Sequence, residues 1–314
     1  MQLRAKANKP LPLLLLMEVL VLGSGAGGGI PQWNCLCPNC VRARLEIKEK
    51  KEPFSLRRTQ SSIAVRAVGE KWVLLNASID LPTQLSREPE LAPPGIEIRS
   101  SPFSAVVLTD AQIDHASGLL SLREGKDIEL LCSESSWDLL SNSYPLIRIL
   151  SSYLEIKKAT FPFKIGSLLF NALNLGRSVP PYAQREPRPD DVIAVSIEEE
   201  SGKKIVYCPA LPEINPQLEE FIQESECVFI DGTFWSENEL CLWNIKEKKA
   251  SQMGHVPVGG ENGSLNWLSS LKITRKIYIH INNTNPMIDP DSAQAKAVAL
   301  SGVEIAYDGM KLLL

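Results

Sequence analysis

The sequence runs from Ala105-Val-Val-Leu108 directly into Thr109-Asp-Ala-Gln-Ile-Asp-His115. Four apolar residues followed by polar ones are typical of a buried strand that ends at residue 108. Polar side chains at the carboxyl end of a strand project into clefts, where binding and catalytic groups concentrate. Asp114 and His115, adjacent at this predicted strand–helix junction, are therefore the first candidate site residues.

The chain contains only three histidines, and the other two also occupy informative positions. His280 lies near the end of the predicted strand Lys276–Ile281, so we expect it at the edge of a sheet, as we do His115. His255 lies in the polar stretch Ser236–Gly263, which we predict to be a long loop, and such loops are often functional. For His255 an acid/base or substrate-contacting role and a purely structural hydrogen bond carry equal weight.

Short apolar runs recur along the whole chain and predict strands. They are Trp72–Leu75, Ala105–Leu108, Ile128–Leu131, Ile193–Ile197, Ile205–Tyr207, Val228–Ile230, Lys276–Ile281 and Val303–Tyr307. Helices are predicted at His115–Arg123, at Trp137–Leu154 with a break at Pro145, and at Pro216–Glu226. Because strands come in groups with helices between the groups, we predict the α/β (α+β) class, with sheets covered by helices.

Three of the seven cysteines are crowded into Cys35-x-Cys37-x-x-Cys40. A disulfide framework would spread its cysteines more evenly, so this pattern favours a reducing compartment and a metal site. Thiols at this spacing let one loop wrap a tetrahedral ion, which predicts a structural zinc bound by all three sulfurs. No fourth ligand is visible nearby, and the alternative is three unrelated buried cysteines.

A formal GxGxxG match, Gly23-Ser-Gly-Ala-Gly-Gly28, follows the predicted strand Val19–Leu22. A dinucleotide site needs a helix to begin at this loop, so that its amino terminus holds the pyrophosphate. Here Gly29-Ile-Pro31 follows instead, and glycines before a proline do not open a regular helix. We therefore predict a sharp turn where the backbone approaches another group closely, with the substrate as one candidate, and no bound dinucleotide.

The 314-residue chain is 44% hydrophobic and has a net charge of −4. It can therefore bury a full core, and it lacks the basic character of proteins that bind nucleic acid or membrane surfaces. Lysines and a leucine run within residues 1–16 resemble a signal peptide. We favour the alternative, a poorly ordered extension before a single domain at residues 17–314.

The stretch Thr109–His115 resembles the metallo-β-lactamase signature T-H-x-H-x-D-H. Asp114 and His115 match its last two positions, whereas Asp110 and Gln112 stand in place of its first two histidines. This resemblance implies a four-layer αββα sandwich, which in ordinary members holds two zinc ions.

Later segments extend the resemblance. Tyr278–Thr284 resembles the late histidine motif of this fold, and Val303–Met310 its closing strand in phosphodiesterase-like members. The usual third histidine is missing from Leu173–Pro181, and the usual bridging aspartate is missing near Cys208–Ala210. One of the two metal sites is therefore lost, while the ligands of the other remain.

The resemblance is most specific to the PqqB family of pyrroloquinoline quinone (PQQ) biosynthesis. It extends from about residue 17 to the C-terminus. Each block alone is weak, but together they are specific. The blocks are Gly27–Cys35, Arg58–Ala64, Leu75–Asp80, Gln112–Gly125, Phe229–Trp235, Met253–His255 and His280–Pro286.

The surviving ligands are Asp114, His115 and His280. Two histidines and one carboxylate with open positions are the ligand set of mononuclear iron(II) oxygenases, although zinc tolerates this set too. The resemblance implies an iron(II)- and O2-dependent hydroxylase that acts on the tyrosyl ring of a glutamate–tyrosine cross-linked, peptide-derived precursor. Residues expected to orient the ligands or substrate are Asp110, Gln112, Asp231 and Asp80, with His255 as an acid/base or substrate contact.

Two other functions stay open: a carrier that moves PQQ or its precursor towards the periplasm, and a hydrolase that works from one zinc. The surviving ligands argue against the carrier, and the missing three-histidine site argues against the hydrolase. We expect the PQQ precursor and other proteins of the pathway as partners, and a cytoplasmic location. We expect neither nucleic acid nor a membrane as a partner. Whether the protein forms a homo-oligomer stays open.

Overall fold

The structure is a computed structural model that describes residues 16–50, 56–176 and 178–314. Residues 1–15 of the predicted extension lie outside these ranges. The described strands are β1 (Met17–Gly23), β2 (Ser62–Ala67), β3 (Trp72–Leu75), β4 (Phe103–Val107), β5 (Asp127–Leu131), β6 (Glu155–Ala159), β7 (Phe163–Ile165), β8 (Leu168–Gly176), β9 (Val192–Glu199), β10 (Lys204–Cys208), β11 (Cys227–Asp231), β12 (Arg275–Ile279), β13 (Glu304–Ile305) and β14 (Lys311–Leu313). The described helices are α1 (Pro38–Glu49), α2 (Leu81–Arg87), α3 (Ile113–Ala116), α4 (Glu134–Ser141), α5 (Leu146–Leu150), α6 (Pro216–Ile222), α7 (Glu239–Leu242), α8 (Ser264–Ser270) and α9 (Ala293–Leu300).

These strands form two seven-stranded sheets, each half antiparallel and half parallel. The first sheet has the order β14-β1-β2-β3-β4-β5-β6, and its pairs from β3 to β6 are parallel. The second has the order β13-β12-β11-β10-β9-β8-β7, and its pairs from β10 to β13 are parallel. Each sheet therefore has a block of parallel strands whose carboxyl ends share one edge.

Alternation along β11 shows how the layers are built. Cys227 and Phe229 face the apolar core between the two sheets, whereas Val228 and Ile230 face a second core under helices that include α6 and α8. Side chains on a strand alternate between its two faces, so a strand buried on both faces is apolar throughout. A third core lies between the first sheet and helices α2, α4 and α5. The predicted four-layer αββα sandwich is confirmed.

The helix predicted at His115–Arg123 was wrong in type. The structure has the single turn α3 followed by a 3-10 helix, Ser117–Leu122. The Gly118 N–H donates to the Ala77 carbonyl at 2.8 Å instead of to residue 114, so the regular i to i−4 ladder is broken there.

Two strand predictions were too long. The strand ending in Ile281 stops at Ile279, because His280 adopts a left-handed backbone conformation with φ 58°. The strand predicted at Val303–Tyr307 is reduced to β13. The predicted break at Pro145 is confirmed, since α4 and α5 lie on either side of it. No helix in the described ranges combines the length and apolarity needed to cross a membrane.

Alanine at Gly118 should destabilise the fold directly beside the site. A Cβ there would lie 2.0 Å from the Ser78 carbonyl oxygen, which is backbone and has little freedom to move. We expect a loss of about 2 kcal/mol or more in the free energy of unfolding, measured by urea denaturation. In the control Gly125→Ala the new Cβ would lie 3.1 Å from the Leu122 carbonyl oxygen. For this variant we expect the free energy of unfolding to fall by about 1 kcal/mol or less. Equal stabilities of the two variants would contradict this packing.

Candidate metal centre

The two sheets bring three of the predicted site residues together at the carboxyl ends of β4 and β12. Asp114 and His115 lie on α3, which follows β4, and His280 follows β12. The Asp114 Oδ2 atom lies 3.2 Å from His280 Nε2 and 4.0 Å from His115 Nε2. One ligand atom from each residue lies within 4.8 Å of the other two, which is a spacing that one metal ion can bridge.

His115 is oriented by Asp110, the residue that stands in place of a signature histidine. The His115 Nδ1 atom lies 2.8 Å from Asp110 Oδ2 and 2.9 Å from Oδ1. A carboxylate acceptor at Nδ1 makes that nitrogen the donor and leaves the lone pair on Nε2, as in carboxylate–histidine–metal arrangements. The His115 Nε2 atom is buried and has no hydrogen-bond partner among the residues that the structure describes. This orphaned nitrogen fits a metal ligand.

The charges around the centre favour an ionised carboxylate and a basic imidazole. Burial opposes the ionisation of Asp114, but the neighbouring His115 and His280 hold the pKa of its carboxyl well below its usual range. Burial also opposes protonation of His115, but Asp110 and Asp114 raise its pKa to about 9. A buried site with excess negative charge is one that a divalent cation would neutralise.

The glycine loop packs directly against this centre. A Cβ on Gly27 would lie 3.1 Å from Asp114 Oδ2, while Gly28 and Gly29 have φ values of 93° and 61°. Glycine is the residue that reaches such conformations without strain. The predicted close approach of the backbone is therefore made to the Asp114 carboxylate.

Asp231 and His255 form a second pair beside the centre. Asp231 is fully buried at the end of β11, and its Oδ2 atom lies 2.7 Å from His255 Nδ1. The His255 ring stacks on the His280 ring with centroids 5.6 Å apart. Although burial opposes a charge on His255, the Asp231 carboxylate raises the pKa of that imidazole. His255 is thus poised to hold a proton next to the metal ligands.

Asp231, His255 and His280 also have the spacing of a metal site. The Asp231 oxygens are already occupied, however, because they accept hydrogen bonds from the backbone N–H groups of Leu211 and Thr233, from the Thr233 hydroxyl and from His255. Breaking this network to free a ligand oxygen would leave buried donors unpaired. Asp231 is therefore better suited to orient its neighbours than to bind a metal.

Thr233, which sequence reasoning missed, links Asp231 to His280. Its Oγ1 atom lies 2.5 Å from Asp231 Oδ1, 2.7 Å from His280 Nδ1 and 2.9 Å from the His280 carbonyl oxygen. Its position two residues after Asp231, just past the end of a strand, was the available signal.

Asp80 and Gln112 were predicted to help orient the site. The Asp80 Oδ2 atom accepts hydrogen bonds from the backbone and side-chain nitrogens of Gln60 at 3.0 and 2.9 Å, and the Gln60 Oε1 atom accepts one from Gly28 N–H at 3.3 Å. Asp80 thus supports the glycine loop rather than the ligands. Gln112 donates its backbone N–H to Asp110 Oδ1 at 2.9 Å, and the role predicted for its side chain stays a prediction.

The predicted cysteine cluster is also assembled. The sulfurs of Cys35, Cys37 and Cys40 lie within 4.8 Å of one another at the start of α1. Asn283, which was not predicted from the sequence as a residue of this site, lies over all three sulfurs. Its Nδ2 atom is 2.9 Å from Cys35 Sγ, 3.3 Å from Cys40 Sγ and 3.6 Å from Cys37 Sγ.

Within the cluster the surroundings of Cys40 favour its thiolate form. A hydrogen bond from the Cys37 thiol lowers the pKa of Cys40 to about 5, and the same bond raises the pKa of Cys37. The backbone N–H of Gln32 donates to Cys40 Sγ at 3.3 Å, and that of Cys37 donates to Cys35 Sγ at the same distance. Because zinc binds thiolates, these donors suit a zinc–sulfur loop.

Comparison with known proteins places this arrangement in a family. The beta-lactamase superfamily domain matches residues 71–281. Coenzyme PQQ synthesis protein B from Methylococcus capsulatus (strain ATCC 33009 / NCIMB 11132 / Bath) is 42% identical over 301 residues, covering 92% of this chain and 97% of that protein. The protein of the same name from Azoarcus sp. (strain BH72) is 43% identical, with the same coverage.

Solved structures agree with this placement. The crystal structure of Zn2+-bound PqqB from Methylobacterium extorquens is 31% identical and superposes with a TM-score of 0.85, covering 95% of this chain and all of that one. A diphosphatase of the PhnP family shares the fold at 18% identity, with a TM-score of 0.65, over 96% of this chain and 98% of its own. The chain belongs to the beta-lactamase superfamily and, within it, to the PqqB family.

Proposed function

We propose that this protein acts in PQQ biosynthesis as an iron(II)- and O2-dependent hydroxylase of the tyrosyl ring of the peptide-derived precursor. The observation that carries the proposal is the convergence of two imidazole nitrogens and one carboxylate oxygen, from His115, His280 and Asp114, on one point. This is a donor set typical of mononuclear iron(II) oxygenases. The Asp114 side chain is 19% exposed, so solvent reaches one of the three proposed ligands. The identity to PQQ synthesis proteins supports the pathway.

Iron(II) bound by these three residues would supply the one-electron chemistry that activates O2. In the overall reaction one oxygen atom enters the ring as a hydroxyl group. The other is reduced to water by two electrons from an external reductant. The protein holds the ligands in place, through Asp110 at His115 and through Gly27 beside Asp114.

We assign His255 the role of proton donor or substrate contact. Its Nδ1 is held by Asp231, and its side chain is 15% exposed at the stacked face of His280. The protonated ring would donate to an anionic oxygen of the substrate, and the PQQ precursor carries carboxylates. A histidine held by a buried carboxylate is a common acid in enzyme sites.

We further propose a structural zinc at the cysteine cluster, with Asn283 as the fourth ligand. The amide oxygen and nitrogen of an asparagine are assigned from the hydrogen-bond network. A half-turn of the Asn283 amide would point its oxygen at the space between Cys35, Cys37 and Cys40. The described cysteines are all free thiols, which suits a reducing compartment such as the cytoplasm.

The test is to incubate the cross-linked glutamate–tyrosine precursor with protein loaded with either iron(II) or zinc at the active site, under air or argon, with ascorbate as reductant. Product is followed by mass spectrometry. The hydroxylase predicts a gain of one oxygen atom only with iron(II) and air. Product formed with zinc under argon would instead support the one-zinc hydrolase.

Binding of the precursor without any change of mass, under all four conditions, would support the carrier. His115→Ala serves as the matched control, because it keeps the cysteine cluster and loses a proposed ligand. Hydroxylation by that variant at the wild-type rate would place the chemistry elsewhere.

A further inference from the structure

We infer that Thr233 is a positioning residue that fixes the tautomer of His280 and so presents its Nε2 lone pair to the metal. The inference rests on the proposed function only in taking Asp114, His115 and His280 as the ligand set. It concerns a side chain that reaches no ligand position itself.

The Thr233 hydroxyl has one proton and three neighbours that could take it. These are Asp231 Oδ1 at 2.5 Å, His280 Nδ1 at 2.7 Å and the His280 carbonyl oxygen at 2.9 Å. Hydrogen bonds to an ionised acceptor are shorter and about twice as strong as those between neutral groups. The closest neighbour is the buried carboxylate, so it receives the hydroxyl proton.

The assignment of that proton determines the state of the His280 ring. With its proton on Asp231, the hydroxyl offers only lone pairs to His280 Nδ1, which must then carry a hydrogen to make the 2.7 Å contact. The same holds if the carbonyl oxygen takes the proton. A neutral ring protonated at Nδ1 has its lone pair on Nε2. That atom lies 3.2 Å from Asp114 Oδ2, so without metal a hydrogen on Nε2 could also bridge the two, and a bound metal would take its place.

Thr233 also braces the strained backbone at this position. His280 has φ 58°, a conformation that non-glycine residues rarely adopt. The Asn282 N–H donates to the Thr233 carbonyl at 3.1 Å, and the Gly232 N–H donates to the Ile279 carbonyl at 2.7 Å. Hydrogen bonds therefore connect the turn after β11 to residues on either side of His280, namely Ile279 at the end of β12 and Asn282 in the turn that follows. Thr233 itself contacts this turn twice, through its hydroxyl at the His280 carbonyl and through its own carbonyl at Asn282 N–H.

The same carboxylate orients His255 directly and His280 through the hydroxyl. Asp231 Oδ2 faces His255 Nδ1, and Asp231 Oδ1 faces Thr233. Replacing Asp231 would disturb both histidines at once, whereas replacing Thr233 isolates the link to His280. Threonine is therefore the residue to change.

The experiment compares Thr233→Val, which keeps the shape and removes the hydroxyl, with Thr233→Ser, which keeps the hydroxyl. Each protein carries one zinc at the cysteine cluster and is titrated with cobalt(II) under argon, followed by visible absorption. Loss of a side chain that orients a metal ligand typically weakens metal binding 10- to 100-fold. We expect a loss of about that size for valine and less than about 3-fold for serine.

A second readout is the tautomer itself, from long-range 15N–1H spectra of the metal-free protein, which has only three histidines. We expect a hydrogen on His280 Nδ1 in the wild type, and in Thr233→Val a ring protonated at Nε2 alone, where Asp114 Oδ2 can accept. A wild-type His280 without a hydrogen on Nδ1 would overturn the inference even if the valine variant does not fold. Equal cobalt affinities for folded valine and wild-type proteins would overturn it too.

These outcomes are distinct from failure of the proposed metal site. If the zinc-loaded wild type binds no cobalt(II), the ligand set is wrong and the proposed function fails with it. If wild type binds cobalt(II) and valine has no effect, only the role of Thr233 fails.

Discussion

Alanine at His115 is expected to abolish metal binding at the active site, whereas alanine at His255 is expected to preserve it. The chain has only these two histidines and His280, so the three alanine variants cover every imidazole in the protein. His115 offers a buried Nε2 that has no hydrogen-bond partner in the described part of the chain, while His255 is turned towards Asp231. We therefore propose that two of these three histidines are ligands and that His255 is their neighbour.

The measurement is iron content after anaerobic loading and desalting, with hydroxylation rate beside it. We expect about one active-site iron in wild type and His255→Ala, and close to none in His115→Ala and His280→Ala. The rate should fall below about 1% of wild type in the two ligand variants, since even the loss of a group that only orients a ligand costs 10- to 100-fold. Loss of iron from His255→Ala alone would reverse the assignment.

Alanine at Cys40 is expected to release the structural zinc and to weaken the active site as well. Cys40 is fully buried, and Asn283 joins the cluster to the segment that begins at His280. Asn39, beside Cys40, donates to the carbonyl oxygens of both Asn283 and Asn285 at 2.9 Å. Because only two residues separate His280 from Asn283, movement of the cluster loop would reach the metal ligand.

We expect Cys40→Ala to lose about 3–5 kcal/mol of stability, measured by chemical denaturation of the zinc-loaded proteins. Active-site affinity for cobalt(II) should fall by about 10-fold. The control is Cys241→Ala, since Cys241 is half-buried and far along the chain from the cluster. A Cys40→Ala protein that keeps its zinc and its stability would show that the three sulfurs hold no metal.

Local patterns predicted sheets covered by helices and indicated Asp114 and His115, whereas the four-layer αββα arrangement was implied by the resemblance. A strand such as Val228–Ile230 is recognisable from its own residues, and Asp114 with His115 is recognisable from a single short motif. The resemblance supplied His280, and it supplied the interpretation of Asp110 as a residue that no longer binds metal. In the structure Asp110 Oδ2 lies 2.8 Å from His115 Nδ1, and the orienting role predicted for Asp110 stays a prediction.

The contacts that complete both centres could not be predicted in the same way. Thr233 lies 47 residues from His280, and Asn283 lies 243 residues from Cys40. Such pairs depend on how two sheets align, which no local pattern encodes. The left-handed backbone of His280 is equally invisible in Lys276–Ile281, which looks like an uninterrupted strand.

The prediction of a regular helix at His115–Arg123 was wrong for a related reason. Apolar spacing at His115–Arg123 fits a regular helix, but Gly118 donates its N–H to Ala77 in a different segment. A tertiary hydrogen bond overrides the local pattern there. The same contact holds the segment after His115 against the end of β3, so the departure from regularity lies close to the site.

The most direct test of the central claim is the origin of the oxygen atom in the product. Iron(II)-loaded wild-type protein, the cross-linked glutamate–tyrosine precursor and ascorbate would be exposed to 18O2 in ordinary water, and the product analysed by mass spectrometry. We predict one 18O atom for each new hydroxyl group, and no product from His280→Ala under the same conditions. Oxygen derived from water, or a precursor recovered unchanged after binding, would contradict the hydroxylase and this use of the Asp114–His115–His280 centre.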